Sequence, residues 1–408
     1  MANSKINTIL KEALAEIKPE KKKISEVDDF VGKINSRIKK LKIAAKAVVG
    51  GSFAKDTFLK EDHDVDIFVM FSLKYRDDDL SRMLRKVLLP FKPETLHGSR
   101  DYFRAKNRFN FEIVPVLDIK KPEQAQNVTD FSPAHVKWVK KNAGKLRDDI
   151  RLAKKFCKSN KVYGAESYIR GFSGHVLDII IIYYRGFLPL LRAAAKWKPK
   201  QVIDFYNVHK GRALFELNKS KTQSSLIVVD PVQPGRNASA ALMDEKFSIF
   251  AESARKFLKN PSKDFFIEKK ADIKLLEKKG AVLVDVESKK GKEDIVGAKL
   301  LKAFQFIRKG LDEFRIMDAG WEWDRKKNAV FWFLPGVKRL PEAVEWEGPP
   351  TTMKNRVNEF KKKYKKTFIK KGRIYAKRKR KHTKPGLLAR DLIKQQYFMD
   401  KVKKAKIR

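Results

Sequence analysis

Two apolar, strand-like runs that meet at glycines and acids constrain this chain more than any other feature. KIAAKAVVGGS ends in Gly50-Gly51-Ser52, and HDVDIFVMF carries Asp64-Val65-Asp66, with Asp64 twelve residues after Ser52. Side chains alternate across a strand, so Asp64 and Asp66 project from one face, about 7 Å apart along the chain. Two carboxylates held that way repel each other unless a cation neutralises them. Mg²⁺, a hard dication bound by oxygen and shared with substrate phosphates, suits them. The Gly-Gly-Ser end of the first run offers backbone amides and a hydroxyl, with no Cβ to keep a triphosphate away. A third acid should come from a neighbouring strand, and Glu112 fits as the lone carboxylate inside the alternating run Phe109 to Pro115. An Asp-x-Asp pair alone is common on protein surfaces. Three acids at strand edges beside a Gly-Ser loop suit two-metal nucleotidyl transfer, in which one metal lowers the pKa of an attacking hydroxyl and the other steadies the departing pyrophosphate.

The surrounding pattern predicts a multidomain α+β chain. Ile6, Ile9, Leu10, Leu14 and Ile17 share a helical face, with Ser4 as the expected cap and Pro19 and a lysine run as the close. Ser25 and Asp28 are expected to open a second helix carrying Val27, Phe30, Val31, Ile34 and Ile38. Helices on a small mixed β-sheet are expected over residues 1–138. SPAHVKWVKKN, LRDDIRLAKKFCKSN and AESYIRGFSGHVLDIIIIYYRG read as successive helices leading into a mainly helical domain at 139–259, interrupted by the short strand SLIVVDPV. At 260–350, AVLVDV, a helix over Ile295–Phe314 and the strands RIMDAGWEWD and NAVFWFLP give a β-α-β-β series. That order resembles a ferredoxin-like or RNA-recognition module. Its aromatics Trp321, Trp323, Phe331, Trp332 and Phe333 could stack bases, but core packing under the adjoining helix is the expected use. Residues 351–408 read as a basic helical tail: a long helix, a turn at Lys371–Arg373 and a terminal helix.

Charge narrows the partners. Against 49 acids stand 93 Lys and Arg, a net +44 over 408 residues. Such a charge opposes compaction unless a polyanion meets it, while 42% hydrophobic residues exclude a wholly disordered basic protein. The last 58 residues hold 23 Lys and Arg and only Glu359, Asp391 and Asp400 as acids, a net +20. This concentration favours an extended phosphate backbone as ligand. Lys361, Lys365, Lys370, Arg373, Lys377, Arg378 and Arg380 are the candidate contacts. An anionic membrane surface, or a heat- or salt-adapted lysine-rich composition, would explain the bulk charge but not its division. One cysteine, Cys157, excludes a disulfide framework and a Cys-based zinc site. The longest apolar stretch, Val176–Tyr184, contains Asp178 and is too short for a bilayer. The first residues lack an apolar signal core. A soluble, cytoplasmic protein with no membrane partner is expected.

These residues carry a resemblance. GGSFAKDTFLKEDHDVDIFV resembles the signature of the DNA polymerase β-type nucleotidyltransferase superfamily. SPAHVKWV, RLAKKFCKSNKVYGAESYIRGFSGHVLDIIIIYYRGF, VIDFY and VVDPVQPGRNASAAL resemble the archaeal, class I CCA-adding enzymes, the tRNA nucleotidyltransferases. EGPPTTMKNRVNEFKKKYKKTFIKKGRIYAKRKRKHTKPG is similar to that family's tail. The resemblance implies a palm at 1–138, a nucleotide-binding domain at 139–259, a body at 260–350 and a tRNA-binding tail at 351–408. It implies template-independent addition of C, C and A to a tRNA 3′ end from CTP and ATP, with two Mg²⁺ ions. The acceptor–T arm of tRNA would be the partner, and a homodimer is left open.

Residue by residue, the resemblance gives the metals to Asp64, Asp66 and Glu112 and the triphosphate to Gly51, Ser52 and Lys55. His135, Lys154 and Tyr163 match positions that grip the nucleotide's phosphates and sugar, and Arg236 would read the base edge. Two positions depart from the family: Glu112 where Asp is more usual, and Lys55 where Arg is common, exchanging a fork for a point charge. Taken singly, these residues admit plainer roles. His135 can cap a helix, Lys154 sits in a charge run, Tyr163 can pack, and Arg236 can pair with Asp230. The rival activities are a poly(A) polymerase or oligoadenylate-type transferase on the same palm, and a catalytically inactive RNA-binding scaffold.

Overall fold

The computed structural model describes residues 2–20, 23–106 and 108–408, and the chain divides into two compact units, Met1–Lys269 and Lys270–Arg408. Lys21 and Lys22, in the lysine run expected to close the first helix, lie outside the described residues. Among those described, no helix is long and apolar enough to cross a membrane.

The first unit begins with α1 (Ala2–Ile17), α2 (Lys23–Lys40), β1 (Ala45–Val49), α3 (Gly51–Lys55), β2 (Asp64–Phe71), α4 (Leu80–Leu88), β3 (Glu94–Leu96), β4 (Tyr102–Lys106) and β5 (Asn110–Leu117). α1 and α2 start two residues ahead of Ser4 and Ser25, their expected caps. The five strands lie in the order β1-β2-β5-β4-β3, with β2 and β5 parallel and the other neighbours antiparallel. Alternation sorts β2 into two faces. Val65, Ile67, Val69 and Phe71 are buried in one cluster with Val27, Ile34 and Ile38 of α2 and Leu84, Val87 and Leu88 of α4. Asp64, Asp66, Phe68 and Met70 take the opposite face. A one-residue slip of β2 would expose four fully buried side chains, a loss of roughly 6–12 kcal/mol at about 1.5–3 kcal/mol each. The register of the two aspartates is therefore set by the core behind them.

The unit continues through α5 (Ser132–Ala143), α6 (Arg147–Ser159), α7 (Gly174–Tyr184), α8 (Phe187–Ala194), β6 (Gln201–Ile203), α9 (Ala213–Glu216), β7 (Leu226–Val228) and α10 (Asp244–Lys259), with β6 and β7 parallel. The helix expected over residues 165–186 occupies only its second half. It starts where the Ser173 side chain accepts from the Val176 amide at 3.2 Å. The division expected at residue 138 is also moved. It falls inside α5, and Ile6, Ile9, Ala13 and Ile17 of α1 are buried with Phe156, Ile180 and Leu190 of the helical part rather than with the sheet.

The second unit holds α11 (Ile273–Lys278), β8 (Val282–Glu287), α12 (Glu293–Gly310), β9 (Ile316–Trp323), β10 (Asn328–Pro335), β11 (Ala343–Pro350), α13 (Lys354–Lys363), β12 (Thr367–Lys370), β13 (Arg373–Lys379), α14 (Pro385–Leu392), α15 (Gln396–Met399) and β14 (Lys404–Ile407). Its larger sheet has the order β14-β8-β10-β9, antiparallel throughout. That is the ferredoxin-like arrangement the β-α-β-β series pointed to. Phe331 and Phe333 turn inward onto Phe304 of α12, so these aromatics fill the core.

The all-helical tail is corrected in two ways. Its last part supplies α14, which packs into the same core, and β14, which completes this sheet, so residues 260–350 are not a finished domain. Its middle forms β12 and β13, which join β11 in a second sheet of order β11-β13-β12. The hairpin turns at Lys371 (φ 48°) and Gly372 (φ 71°). Two successive positive φ values match the twist of flanking strands, and Gly372 makes the second one cheap.

Candidate active site

Parallel pairing of β2 with β5 sets Asp64 opposite Asn110 and Asp66 opposite Glu112. Asn110 Nδ2 donates to Asp64 Oδ1 at 2.9 Å. Glu112 accepts from Arg104 Nη2 of β4 at 2.8 Å, which fixes the longer side chain beside its neighbours. Burial first, then the negative charges of Glu112 and Asp64 acting against Lys55 and Lys154, raise the Asp66 carboxyl from its ordinary 3.8 to about 6. Asp66, with Glu112 opposite it and Asp64 two residues away on the same face, resists ionisation, and a hard divalent cation would relieve that repulsion.

Gly51 passes close to this carboxylate. The Gly50 amide donates to the Asp66 carbonyl at 2.7 Å, and Gly51 adopts φ +52°. A Cβ placed there would sit 1.7 Å from Asp66 Oδ2. The sequence signal Gly-Gly-Ser thus has a concrete meaning: the backbone passes so close to the acid that no side chain fits. Ser52 follows, half-buried, in the first turn of α3.

Two buried lysines stand behind the acids. Lys55 Nζ lies 2.7 Å from Asp178 Oδ2 of α7, a carboxylate only 1% exposed. Lys154 Nζ of α6 donates to the Thr57 carbonyl at 2.9 Å and to its hydroxyl at 3.1 Å. Burial pushes the Lys154 ammonium down to about 8. Tyr163, half-buried, is raised above its ordinary value first by desolvation and then by Asp62 and Asp178. Lys158 lies 5.6 Å from its ring centre. Lys154 is therefore a deliberate buried cation and not part of a solvated charge run, and the spacing of α6 is what turns it inward.

His135 and Arg236 meet on a second hub. Asp230, fully buried, lies 3.1 Å from His135 Nε2, 3.4 Å from His175 Nε2 and 3.1 Å from Arg236 Nη1, all measured to Oδ2. Burial raises this carboxyl, but the imidazoles of His135 and His175 outweigh it and hold it well below the ordinary range. The ion pair weighed for Arg236 is formed, and its side chain is still 40% exposed. Asp178, His175 and Thr57 were not singled out from sequence. Asp178 had a signal, as the lone charge within the apolar run Val176–Tyr184.

Among the basic candidates of the second unit, Lys370 pairs with Glu345 and Arg373 with Glu347, both at 2.8 Å, and Arg380 pairs with Glu313. Arg378 lies over Trp346 at 4.9 Å and Tyr364 at 5.7 Å. Lys361, Lys365 and Lys377 are exposed, and no ion pair is formed by them among the described residues.

The mixed sheet with its three acids and the close Gly51 turn define a nucleotidyltransferase. Residues 31–127 match the nucleotidyltransferase domain family. Similar folds include the Cid1 poly(U) polymerase bound to MgATP, with a TM-score of 0.52 at 15% identity over 64% of this chain and 98% of that one. The remaining matches are narrower: residues 148–267 to the family described as tRNA nucleotidyltransferase, second domain, and residues 279–405 to CCA-adding enzyme, C-terminal domain. CCA-adding enzymes of Nanoarchaeum equitans (35% identical, 80% of this chain, 82% of that one) and Methanococcus maripaludis (32%, 95% and 91%) are similar along the chain. The chain belongs to the CCA-adding enzyme family.

Proposed function

We propose that this protein completes tRNA 3′ ends by adding C, C and A from CTP and ATP, releasing pyrophosphate. The observation that carries the reading is the in-register pair Asp66 and Glu112 against the Gly51 backbone, in a chain of this family. Asp64, Asp66 and Glu112 are the residues that would hold two Mg²⁺ ions. Bound there, the ions would activate the terminal ribose hydroxyl of the tRNA for attack on the nucleotide α-phosphate and steady the leaving pyrophosphate. Arg104 holds Glu112 in line, and the core behind β2 holds the two aspartates. Gly51 and Ser52 give the triphosphate a close approach. Lys55 and Lys154, already desolvated, supply positive charge to it in a low-dielectric setting where that charge acts strongly. Tyr163 and His135 would meet the sugar and phosphates, and Arg236, anchored by Asp230 and partly exposed, the base edge.

In this proposal the sheet with α2 and α4 performs the chemistry, the helical remainder of the first unit grips the nucleotide, and the second unit binds the acceptor–T arm. The RNA contacts are Lys361, Lys365, Lys370, Arg373, Lys377, Arg378 and Arg380. A cytoplasmic location, where tRNA is processed, and a homodimer belong to the same reading. The direct assay incubates the protein with a tRNA transcript lacking its 3′ CCA, labelled CTP and ATP, and Mg²⁺. Three added residues in the order C, C, A are expected. A long A-tail would replace the proposal with a poly(A) activity, and tight tRNA binding without incorporation would leave an RNA-binding scaffold. Asp66→Ala should abolish incorporation and leave tRNA affinity nearly unchanged.

A further inference from the structure

We infer that His135, His175 and Asp230 form a site for a transition-metal dication of the zinc class, distinct from the carboxylates of β2 and β5. Three different elements bring the residues together: α5, the first turn of α7, and the segment after β7. One donor atom from each lies within 4.8 Å of the other two. A tetrahedral zinc with bonds of about 2.0–2.1 Å keeps its ligand atoms about 3.3 Å apart. The two histidine-to-carboxylate edges are 3.1 and 3.4 Å. The imidazole ring centres lie 4.2 Å apart, and the edge between their donor nitrogens, no longer than 4.8 Å, has to adjust.

The donors are also in the right state. His175 is 17% exposed; its Nδ1 has no hydrogen-bond partner, and its Nε2 reaches only Asp230 Oδ2, at a long 3.4 Å. A buried imidazole left that way is costly, and its lone pair is free to bind a metal. Asp230 Oδ1 accepts from the amides of Val232 at 2.9 Å and Gln233 at 3.3 Å and lies 3.2 Å from His135 Nε2, while Oδ2 faces both histidines. Arg236 shares that oxygen, and its half-exposed side chain can withdraw into solvent as a dication enters. Two imidazoles and one carboxylate favour zinc-like ions over Mg²⁺. The fourth position stays open to water or an anionic oxygen.

The test titrates Zn²⁺ into the full-length protein by calorimetry in excess Mg²⁺, which saturates the hard carboxylate site. One tight equivalent is expected, with Co²⁺ giving the absorption of a tetrahedral complex. His175→Phe should weaken Zn²⁺ at least ~100-fold, as expected for loss of one of three ligands, while Asp64→Asn should retain it. His175→Asn, closer in size and polarity, guards against a folding defect. In the unaltered protein, the imidazole NMR signals of His135 and His175 should move together on adding Zn²⁺. Absence of a tight equivalent would overturn the inference. So would an affinity unchanged by both His175 variants, since the pairs His97–Asp101 and His382–Asp391 would then be the ligands. Because His135 is also proposed to meet the nucleotide, Zn²⁺ should raise the KM for CTP. Tight zinc binding without that rise would refute the nucleotide role of His135 and leave the metal site standing.

Discussion

Replacing Gly51 by alanine tests the catalytic geometry through a single methyl group. The added carbon would lie 1.7 Å from Asp66 Oδ2 and 2.7 Å from its Cγ. An unstrained carbon–oxygen contact is longer by about 1.5 Å, so either the carboxylate or the turn must move by roughly that amount. Misplacing a reacting group by about 1 Å costs on the order of 100-fold in rate, or about 2.7 kcal/mol. The positive φ itself costs about 1–2 kcal/mol for a residue with a Cβ, which shifts Tm by only a few degrees in a unit of this size. Gly211→Ala separates the two effects. Gly211 also has a positive φ, +78°, but a Cβ there would meet nothing within 4 Å. Single-turnover incorporation of labelled CTP into a tRNA lacking CCA should therefore fall at least ~100-fold in Gly51→Ala and stay near the parent rate in Gly211→Ala, with similar losses of Tm. The reasoning fails if Gly51→Ala keeps activity within about tenfold of the parent, or loses no more than Gly211→Ala does.

Four further outcomes follow. Asp66 holds its proton more tightly in the folded chain, about 6 against an ordinary 3.8, so its contribution to stability is full below 3.8 and lost as pH rises through about 6. Without divalent metal, Asp66→Asn should melt higher than the parent above pH 6 and lose that advantage below pH 4; equal melting above pH 6 would contradict the burial argument. The Lys154 ammonium, lowered to about 8, discharges as pH rises through that value. The KM for CTP should climb there, and in Lys154→Met the climb should vanish from the pH profile. Lys55→Met leaves Asp178 buried and unpaired and should cost about 3–5 kcal/mol in urea unfolding, most of it recovered in Lys55→Met/Asp178→Leu. For tRNA binding, Lys377→Ala should lower the slope of log K against log salt by about one. Lys370→Ala, whose charge Glu345 already balances, should change it much less.

What could be read from the sequence and what could not divide along physical lines. The acids were legible because strand alternation is local: Asp64 and Asp66 share a face wherever β2 lies, and Glu112 is the odd residue in an apolar run. Lys154 was placed by resemblance, and only the packing of α6 shows it buried. The partners of the basic and imidazole groups were not legible. Asp178 reaches Lys55 across 123 residues and Asp230 reaches His135 across 95, distances over which no spacing rule operates. The tail misled for a different reason. Lysines are good helix formers, and their density hid the alternation of Ile374 and Ala376, both buried in β13. The Lys371-Gly372 pair between TFIK and RIYAKRK was the available hairpin signal. Its turn was expected at the right residues, but helices were assigned to either side.

The late arrival of β14 has a kinetic consequence. Its neighbour β8 is the first strand of that sheet, and Lys403 and Glu287, joined at 2.6 Å, lie 116 residues apart. Closing a loop of that size is entropically expensive, and the expense grows with the logarithm of the slack chain between the ends. The inserted sheet β11-β13-β12 gathers much of that slack through a tight, local hairpin. Structure that forms early in the insertion shortens the search left to β14. The basic insert proposed as an RNA-binding surface would thus also set how fast the body around it can close.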